Sequence, residues 1–269
     1  SAPPRRSRSR NPLPPPLRPK RQPPLPMTGR RRGPTPWRAV GRCGRGAAPE
    51  AMDAATLRRA LRRVRFPEGL GWAVREATGD PDALFAEERV AVSKAIPARI
   101  AEFAGGRRAA RAAMAQLGLP PCAIPARPDR APHWPEGVLG SISHAGPVCL
   151  AVVGRRADWE MIGIDLEPDR PMAAELVPEI AAPDELAALA PLARTLAATR
   201  IFSAKEAAYK AQYPVTRALF GFDAMQANLQ IGRMNMAKNV GLGRGAALPM
   251  WQLLVANHVI SLCPNAKIG

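Results

Sequence analysis

The chain has 269 residues, of which 46% are hydrophobic, and its formal net charge is +17. This length suits one large domain or two small ones, and the apolar fraction excludes a chain that is disordered throughout. Residues 1–51 hold 13 Lys and Arg, 13 Pro and a single acid. Such a segment buries too little apolar area to offset its ordering entropy, so we predict a disordered extension over 1–51.

Two further interpretations of residues 1–51 stay open. The arginine clusters suit a nucleic acid or an anionic surface, so a nucleic-acid-binding protein that uses this tail is the alternative function. Met52 is the alternative start of the protein, in which case the preceding residues are an artefact of upstream translation. The segment has no apolar stretch after its basic residues and therefore does not resemble a secretory signal.

Helical and loop patterns alternate from Met52 onwards. Residues 54–65 and 86–117 are rich in Ala, Arg, Leu and Glu, a composition that favours helices. In the second segment, apolar residues at helical spacing, such as Val92, Ile96, Ile100 and Phe103, also indicate a helix. Six prolines fall in 119–137, which we therefore predict to be a loop.

Strands dominate the middle of the chain. The apolar runs 148–153 and 161–166 predict buried strands, and the short polar segment 154–158 predicts that the two form a hairpin. A parallel arrangement is disfavoured, because these strands are too close in sequence for a crossover helix between them.

A second helical pattern covers 183–212 and is predicted to end before Pro214. From Phe220 to the end, short apolar segments separated by glycines predict strands. The order helix, strands, helix, strands predicts an α+β fold with two similar halves, 52–155 and 156–269.

Cysteine and apolar patterns bear on the compartment. The four cysteines are scattered without a C-x-x-C pair, which predicts neither a disulfide framework nor a zinc site, and we expect a cytoplasmic protein. The longest uncharged stretch, 245–266, contains Pro249 and several polar residues. It predicts a pair of short strands, and we expect no membrane span.

Two carboxylates alternate with apolar residues in segment 163–167, which reads G-I-D-L-E. On a strand, Asp165 and Glu167 face the same side, while Ile164 and Leu166 face the core. Adjacent carboxylates repel unless a cation joins them, and Mg²⁺ binds oxygen ligands of this kind. A solvated strand end is the other interpretation of the same residues.

Glu206 and Lys210 lie four residues apart in F-S-A-K-E-A-A-Y-K, residues 202–210, and would share one face of a helix. They are compatible with an ordinary surface ion pair. They are equally compatible with Glu206 as a metal ligand or general base and Lys210 as a phosphate contact, and spacing alone does not decide between these.

Ser143 and His144 lie in G-S-I-S-H-A-G, residues 140–146, which we predict to be a loop before a strand. A serine hydrolase is one interpretation, but the G-x-S-x-G elbow is absent, and adjacent residues of an extended segment face apart. Contacts of the hydroxyl, the imidazole and backbone N–H groups with phosphate oxygens are the alternative.

A basic helix carries Arg99, Arg107 and Arg111. Arginine forks match the geometry of phosphate groups, so these side chains could line one side of an anion-binding cleft. A solvated helix face is the other interpretation.

Four segments in this order resemble the 4′-phosphopantetheinyl transferase superfamily, in particular the enterobactin synthase component D type. They are E-F-A-G-G-R-R-A-A-R at 102–111, W-P-E-G-V-L-G-S-I-S-H at 134–144, G-I-D-L-E at 163–167 and F-S-A-K-E-A-A-Y-K at 202–210. The similarity covers the chain from about residue 60 to its end. Residues 225–248 follow the family pattern less closely and leave the arrangement of the C-terminal strands open.

The resemblance implies a monomer of two pseudo-symmetric α+β halves, with coenzyme A and Mg²⁺ in the cleft between them. It implies that Asp165, Glu167 and Glu206 are the metal ligands, and that Glu206, or a water it positions, is the base. Further residues are implied as contacts of coenzyme A, with Lys205 and Lys210 at the pyrophosphate: Arg99, Arg107, Arg130, Ser143, His144, Lys205 and Lys210.

The implied reaction is the transfer of 4′-phosphopantetheine from coenzyme A to a serine of an acyl or peptidyl carrier protein. Coenzyme A is anionic and carrier proteins are usually acidic, so the small positive charge outside residues 1–51 suits both. The resemblance points to siderophore or other secondary-metabolite assembly, and polyketide, peptide and fatty-acid carriers remain alternatives. A nucleic-acid binder ranks below this transferase, because it leaves the acids at 163–167 and 202–210 unexplained.

Overall fold

The computed structural model describes residues 53–78 and 80–267, together with the backbone of strand β1 (Trp37–Ala39). Strand β1 pairs in parallel with a strand near the C-terminus. The rest of the predicted extension over 1–51, on which the nucleic-acid alternative rests, lies outside the described residues. In the part of the chain that is described, no helix is both long enough and apolar enough to cross a membrane.

The N-terminal half packs helices against an antiparallel sheet. Its elements are α1 (Ala54–Leu61), β2 (Leu70–Glu76), α2 (Ala86–Arg89), α3 (Pro97–Gln116), β3 (Val138–Ala145) and β4 (Val148–Arg155), with 3₁₀ turns at Pro81–Ala83 and Val90–Val92. The sheet has the order β2–β4–β3, so β4 is central. Helix α1 begins where the Asp53 carboxylate accepts a hydrogen bond of 2.6 Å from Thr56 N, and it buries Leu57 and Leu61.

The C-terminal half has a larger set of strands. Its elements are β5 (Trp159–Pro168), α4 (Val177–Ile180), α5 (Pro183–Ala187), α6 (Arg194–Thr216), β6 (Met225–Asn228), β7 (Arg233–Met236), β8 (Ala247–Pro249), β9 (Trp251–Val255) and β10 (His258–Ala266), with 3₁₀ turns at Ala174–Leu176 and Phe222–Ala224. Strands β9, β10 and β5 form one sheet with β10 between the other two. Strands β6, β7 and β8 form a second sheet in the segment that has no clear sequence pattern.

The two halves repeat one topology. Each has a strand, then a long helix, then two antiparallel strands, and the last of these pairs with the first strand of that half. The N-terminal set is β2, α3, β3 and β4, and the C-terminal set is β5, α6, β9 and β10. This arrangement confirms the predicted α+β fold with two pseudo-symmetric halves.

In both halves, a glycine in the first strand allows the long helix to pack close to that strand. A Cβ atom on Gly71 of β2 would lie 2.2 Å from the carbonyl oxygen of Ala113 in α3. A Cβ atom on Gly163 of β5 would lie 1.9 Å from the carbonyl oxygen of Ala207 in α6. Only glycine allows backbones to approach this closely. Strand β5 also lies against β3 of the other half, so it joins the two halves.

The predicted hairpin of 148–153 with 161–166 is wrong. Strand β4 pairs with β2 and β3, whereas β5 pairs with β10. The turn between β4 and β5 carries the chain from one sheet to the other, and a short polar link is compatible with either outcome. The real hairpin joins β3 to β4, and the Ser/His segment predicted as a loop is part of β3.

The first two predicted helices are shorter than the composition indicated. Helix α1 ends at Leu61, and the segment predicted as one helix over 86–117 divides into α2 and α3. Proline disfavours helical geometry in the residue before it but suits the first helical position, so a new helix begins at Pro97. Ile96, one of the apolar residues at helical spacing, lies in the connection before α3 and is 69% exposed.

The predicted helix over 183–212 is also two helices, α5 and α6. Helix α6 does not end before Pro214 but continues through it to Thr216. A proline distorts the helix that contains it, and here the distortion falls in the final turn. Arg217 then ends the helix with a left-handed backbone, at φ 56°.

Candidate functional site

A buried carboxylate forms the centre of a polar cluster between the two halves. Asp165 of β5 is only 2% exposed. Its Oδ1 accepts hydrogen bonds from Lys210 Nζ of α6 at 2.6 Å and from Ser143 Oγ of β3 at 3.0 Å. Ser143 Oγ also accepts from Leu166 N at 3.3 Å, which fixes the hydroxyl against β5. Three elements far apart in sequence therefore meet at one carboxyl group, and they bring together three of the predicted site residues, Ser143, Asp165 and Lys210.

Asp165 lacks a partner for its second oxygen. Oδ2 is buried, and no hydrogen bond reaches it from the described residues. A buried, unsatisfied carboxylate oxygen carries a large desolvation cost, so such an atom in a cleft indicates a missing ligand. A cation or a donor group of a substrate would remove this cost.

Glu167 and Glu206 lie close enough to Asp165 to share its electrostatic environment. The pKa of Glu167 is raised to about 7, chiefly by burial and then by the negative charges of Asp165 and Glu206, while Lys210 opposes the shift. Burial also raises the pKa of Glu206, with Lys210 lowering it and Asp165 raising it. The three carboxylates destabilise one another when all are ionised, which is the condition that a bound cation relieves.

The side chains do not, however, form a ready three-ligand site. Among the residues that the structure describes, no group of three His, Cys, Asp or Glu side chains is assembled to hold a metal ion. The Lys210 ammonium group, only 28% exposed, supplies the positive charge beside Asp165. The assignment of Asp165, Glu167 and Glu206 as metal ligands stays a prediction.

Arg99, Glu102 and His144 form a second cluster near the start of α3. Arg99 NH1 lies 3.2 Å from Glu102 Oε2 and 3.4 Å from His144 Nε2, and that imidazole nitrogen lies 3.3 Å from the same carboxylate oxygen. The structure thus brings together two of the predicted phosphate contacts. It adds an acid, Glu102, that the sequence analysis did not single out although it stands in the 102–111 motif and three residues from Arg99.

Ser143 and His144 face opposite sides of β3. The serine bonds Asp165, whereas the imidazole bonds Glu102 and is exposed. A nucleophile and its base must be within hydrogen-bond reach of each other, so this pair does not fit the serine-hydrolase alternative.

Arg107 is buried, with 5% of its surface exposed. Its Nε donates a hydrogen bond of 2.6 Å to the carbonyl of Ile124, and its guanidinium carbon lies 4.0 Å from the ring centroid of Phe103. Burial lowers its pKa to about 10. Its predicted role at coenzyme A stays a prediction.

Arg111 does not line the cleft, because it binds Glu88 at 2.7 Å and the Ala83 carbonyl at 2.9 Å.

Arg130 lies beside a pocket of about 690 Å³ that adjoins the carboxylate cluster. Lys210 lines the same pocket and thereby connects it to Asp165. The lining is basic and aromatic: its charged and ring-bearing residues are Arg127, Asp129, Arg130, Trp134, Arg156, Tyr209, Lys210, Tyr213 and Arg217. A space of this size and charge suits part of an anionic, nucleotide-sized ligand.

Lys205 is a correction to the predicted site. Its Nζ is fully inside the protein, where it donates to Glu185 Oε2 at 2.9 Å and to the Ile180 carbonyl at 2.8 Å. Each side chain of the pair is 2% exposed. Lys205 precedes Glu206 on α6, and adjacent residues of a helix point in different directions, so Lys205 binds the interior rather than a pyrophosphate. Glu185, its partner, gave no signal in the sequence because it lies 20 residues away.

Comparisons with known proteins give the family context. A family model described as the 4′-phosphopantetheinyl transferase N-terminal domain matches residues 87–154, and one described as the 4′-phosphopantetheinyl transferase superfamily matches residues 161–263. The chain is 42% identical over 164 residues to 4′-phosphopantetheinyl transferase Svp of Streptomyces mobaraensis, which is 56% of this chain and 66% of Svp.

Two further relatives extend the comparison. The chain is 35% identical over 179 residues to 4′-phosphopantetheinyl transferase PptT of Mycobacterium tuberculosis, covering 64% of this chain and 77% of PptT. It is 40% identical over 131 residues to enterobactin synthase component D of Salmonella typhi, covering 47% of this chain and 53% of that protein. The matched segment thus spans between about half and three quarters of each relative's own length.

Proposed function

Since the chain belongs to the 4′-phosphopantetheinyl transferase superfamily, of the enterobactin synthase component D type, we propose that it transfers the 4′-phosphopantetheine arm of coenzyme A to a serine of an acyl or peptidyl carrier protein. The serine Oγ forms a bond to the β-phosphorus of coenzyme A. The bond from that phosphorus to the bridging oxygen breaks, and adenosine 3′,5′-bisphosphate leaves with the electron pair. Siderophore and other secondary-metabolite carriers are the first substrates to examine.

The observation that carries this proposal is the cluster of Asp165, Glu167 and Glu206 around Lys210 at the junction of the two halves. Phosphoryl-type transfer needs positioning and charge neutralisation more than covalent participation by the protein. The cluster offers carboxylates for a cation and a base, and the adjoining pocket offers arginines for an anionic substrate.

Glu206 takes the proton of the attacking serine, directly or through a water molecule. Its raised pKa, caused by burial, brings it nearer to the working pH than an exposed glutamate would be. Lys210 balances negative charge on the pyrophosphate, because its ammonium group lies both in the cluster and on the pocket wall.

The nucleotide portion of coenzyme A occupies the basic surface around the cluster. Arg130 meets it from the pocket wall. Arg99 and His144 are exposed and adjacent, so they suit a terminal phosphate, and Arg107 follows Arg99 on the same helix as a further contact.

The donor chemistry of the cluster supports a divalent cation, although the three side chains are not assembled as a three-ligand site in the described residues. Among those residues, Asp165 Oδ2 is buried without a hydrogen-bond partner, and Glu167 and Glu206 carry pKa values raised in part by neighbouring negative charge. Asp165, Glu167 and Glu206 would hold Mg²⁺, whose preference for oxygen ligands matches this set. When bound, Mg²⁺ would offset the charge of the pyrophosphate and polarise its phosphorus–oxygen bonds.

Incubation of the full chain with coenzyme A, Mg²⁺ and a panel of apo carrier proteins tests the proposal. Intact-mass measurement should show one phosphopantetheine added to the carrier serine, and chromatography should show adenosine 3′,5′-bisphosphate in equal amount. A carrier with its serine changed to alanine is the control. If acyl and peptidyl carriers all remained in the apo form, the proposed function would be wrong.

A further inference from the structure

A short strap crosses the side of the basic pocket. The strap is Ala126–Pro132, and its two ends form an isolated β-bridge with each other. Arg127 N donates to the Ala131 carbonyl at 2.9 Å, and Arg130 N donates to the Arg127 carbonyl at 2.8 Å, so the strap is a tight turn. Residues Arg127 to Pro132 all line the pocket.

Asp129, at the tip of the strap, binds α6 in the other half of the protein. Its Oδ2 accepts a hydrogen bond of 2.9 Å from the Tyr213 hydroxyl and one of 3.0 Å from Arg217 NH1. Its Oδ1 accepts from Ala131 N at 3.0 Å, which ties the same carboxylate to the strap itself. Both oxygens are thus occupied by groups of this chain.

The backbone of the strap depends on this fastening. Arg130, the residue after Asp129, has a left-handed backbone at φ 67°. That conformation is uncommon for residues other than glycine and persists where surrounding contacts enforce it. The contacts of Asp129 on either side of the turn are well placed to do so.

The charge of Asp129 is otherwise unfavourable at this place. Among the described residues that line the pocket, it is the one acid beside four arginines and Lys210. A negative charge weakens the attraction of a basic pocket for an anion. The backbone N–H of Ala131 and the Tyr213 and Arg217 donors lower the pKa of Asp129, so it remains ionised at neutral pH. The presence of Asp129 in this pocket is therefore better explained by its contacts with Tyr213 and Arg217 than by attraction of an anionic ligand.

We propose that Asp129 is a positioning residue for the transfer reaction, because it fastens the strap to α6 and so holds Arg130 at the pocket in the geometry that receives coenzyme A. The proposal rests on the proposed function. Tyr213 and Arg217 are the attachment points, and Tyr213 adds its ring, over which the Arg217 guanidinium lies at 5.5 Å from the centroid.

Steady-state kinetics of full-length Asp129→Asn and Tyr213→Phe test the role. Loss of the fastening should raise KM for coenzyme A about three- to tenfold in Asp129→Asn, the scale of one charged contact, and leave kcat within about twofold. Tyr213→Phe, which changes no charge at neutral pH, should raise the same KM. Because both act through one contact, the double variant should be little worse than Asp129→Asn alone.

The direction in which KM for coenzyme A changes distinguishes a positioning role of Asp129 from a purely electrostatic one. If Asp129 only added a negative charge to the pocket, Asp129→Asn would bind coenzyme A more tightly. An unchanged or lowered KM would overturn the proposal. Asp223→Asn is the matched control, since Asp223 is also exposed and paired with a cation, Lys238, but does not line the pocket. Its KM should stay at the wild-type value.

Limited proteolysis gives a readout that needs no substrate. Trypsin cleaves after arginine but not before proline, so within the strap it can cut after Arg130 and not after Arg127. The Arg130–Ala131 bond should be cut several-fold faster in Asp129→Asn and Tyr213→Phe than in the wild type or Asp223→Asn. Equal rates would show that the strap is not fastened by Asp129.

The wild-type transfer assay is read first. If the wild type adds no phosphopantetheine to any carrier, the proposed function fails and the role of Asp129 fails with it. If the wild type is active and the KM of Asp129→Asn is unchanged, only the role of Asp129 is lost.

Discussion

Two lysines on one helix, five residues apart, bind carboxylates in different ways. Lys205 pairs with Glu185 at 2.9 Å, and both side chains are 2% exposed. Lys210 pairs with Asp165 at 2.6 Å, but the lysine is 28% exposed. The Glu185 carboxylate also accepts hydrogen bonds from Ala182 N and Ala227 N. The second oxygen of Asp165 has no partner among the described residues.

The difference separates a structural pair from a pair that we propose to be functional. Glu185 has a donor for each oxygen, so the Lys205–Glu185 pair is complete and joins α5, α6 and β6. Asp165 is incomplete, so the cleft face of the same helix has capacity for a ligand. Completeness of the hydrogen bonds, rather than the strength of the ion pair, distinguishes the two.

Glu206→Gln should have the largest effect on activity and a small one on stability. The amide keeps the shape of the side chain but cannot take a proton, so we expect kcat to fall about 100- to 10,000-fold. Intact-mass assays of carrier modification measure the loss, and thermal unfolding checks that the fold is intact. Full activity in this variant would remove Glu206 from the mechanism.

Lys205→Met should have a large effect on stability and a small one on activity. It leaves the Glu185 carboxylate buried without its cation, which costs about 3–5 kcal/mol of unfolding free energy. Urea unfolding measures this cost. The double variant Lys205→Met/Glu185→Gln should recover part of the loss, because no unpaired charge is then buried. A Lys205→Met protein of normal stability that bound coenzyme A poorly would instead restore Lys205 to the phosphate site.

Lys210→Met should lower kcat about 10- to 100-fold, since the charge beside the pyrophosphate is lost. It also removes the cation beside Asp165, so Mg²⁺ should raise the melting temperature of this variant more than that of the wild type. Thermal unfolding with and without Mg²⁺ measures the difference. Lys205→Met is the matched control and should gain nothing beyond the wild-type response. An equal response of all three proteins would separate Lys210 from the metal site.

The pH dependence of the metal requirement should give the smallest effect. The pKa of Glu167 is raised to about 7, so below that pH the side chain is mostly protonated and a poor ligand. The Mg²⁺ concentration that gives half-maximal rate should therefore rise several-fold as the pH falls from about 8 to about 6. Glu167→Gln should bind Mg²⁺ weakly and show a flatter profile. A steep profile in that variant would assign the titration to another group.

The stability of the metal-free protein should fall as the pH rises, whereas its Mg²⁺ binding should improve. The folded-state pKa of Glu167 lies above its ordinary value of 4.5, so the folded protein holds this proton more tightly than the unfolded chain. The contribution of Glu167 to stability is thus fully present below about pH 4.5 and is lost as the pH rises through about 7. Saturating Mg²⁺ should cancel that loss.

Local periodicity predicted much of the fold. Alternation in 163–167 placed Ile164 and Leu166 in the core, where both are fully buried. The pairing of β5 was not accessible in this way, because its partner β10 lies about 100 residues further along the chain. The short polar segment 154–158 indicated a hairpin, and only tertiary packing shows that the link between β4 and β5 connects two different sheets.

The site was predictable where a motif holds both partners and not where a partner is distant. Glu206 and Lys210 lie four residues apart on one helix, so their spacing predicted that they are neighbours, and Lys210 does lower the pKa of Glu206. Asp129 lies in a proline-rich loop and meets Tyr213 some 84 residues later, with no local pattern to connect them. Lys205 lies in the same motif as Lys210, but its partner Glu185 lies 20 residues earlier in the chain, so no local pattern indicated that pair.

The close approach of Gly163 to Ala207 has a consequence for how the protein meets its ligands. Asp165 and Glu206 stand on two backbones that already touch, each within two residues of the contact. The distance between these two backbones is therefore set by the scaffold, since no pliable side chain lies in the contact to be compressed or extended. A single methyl group at position 163 would push them apart and so change where both carboxylates start relative to an ion or substrate.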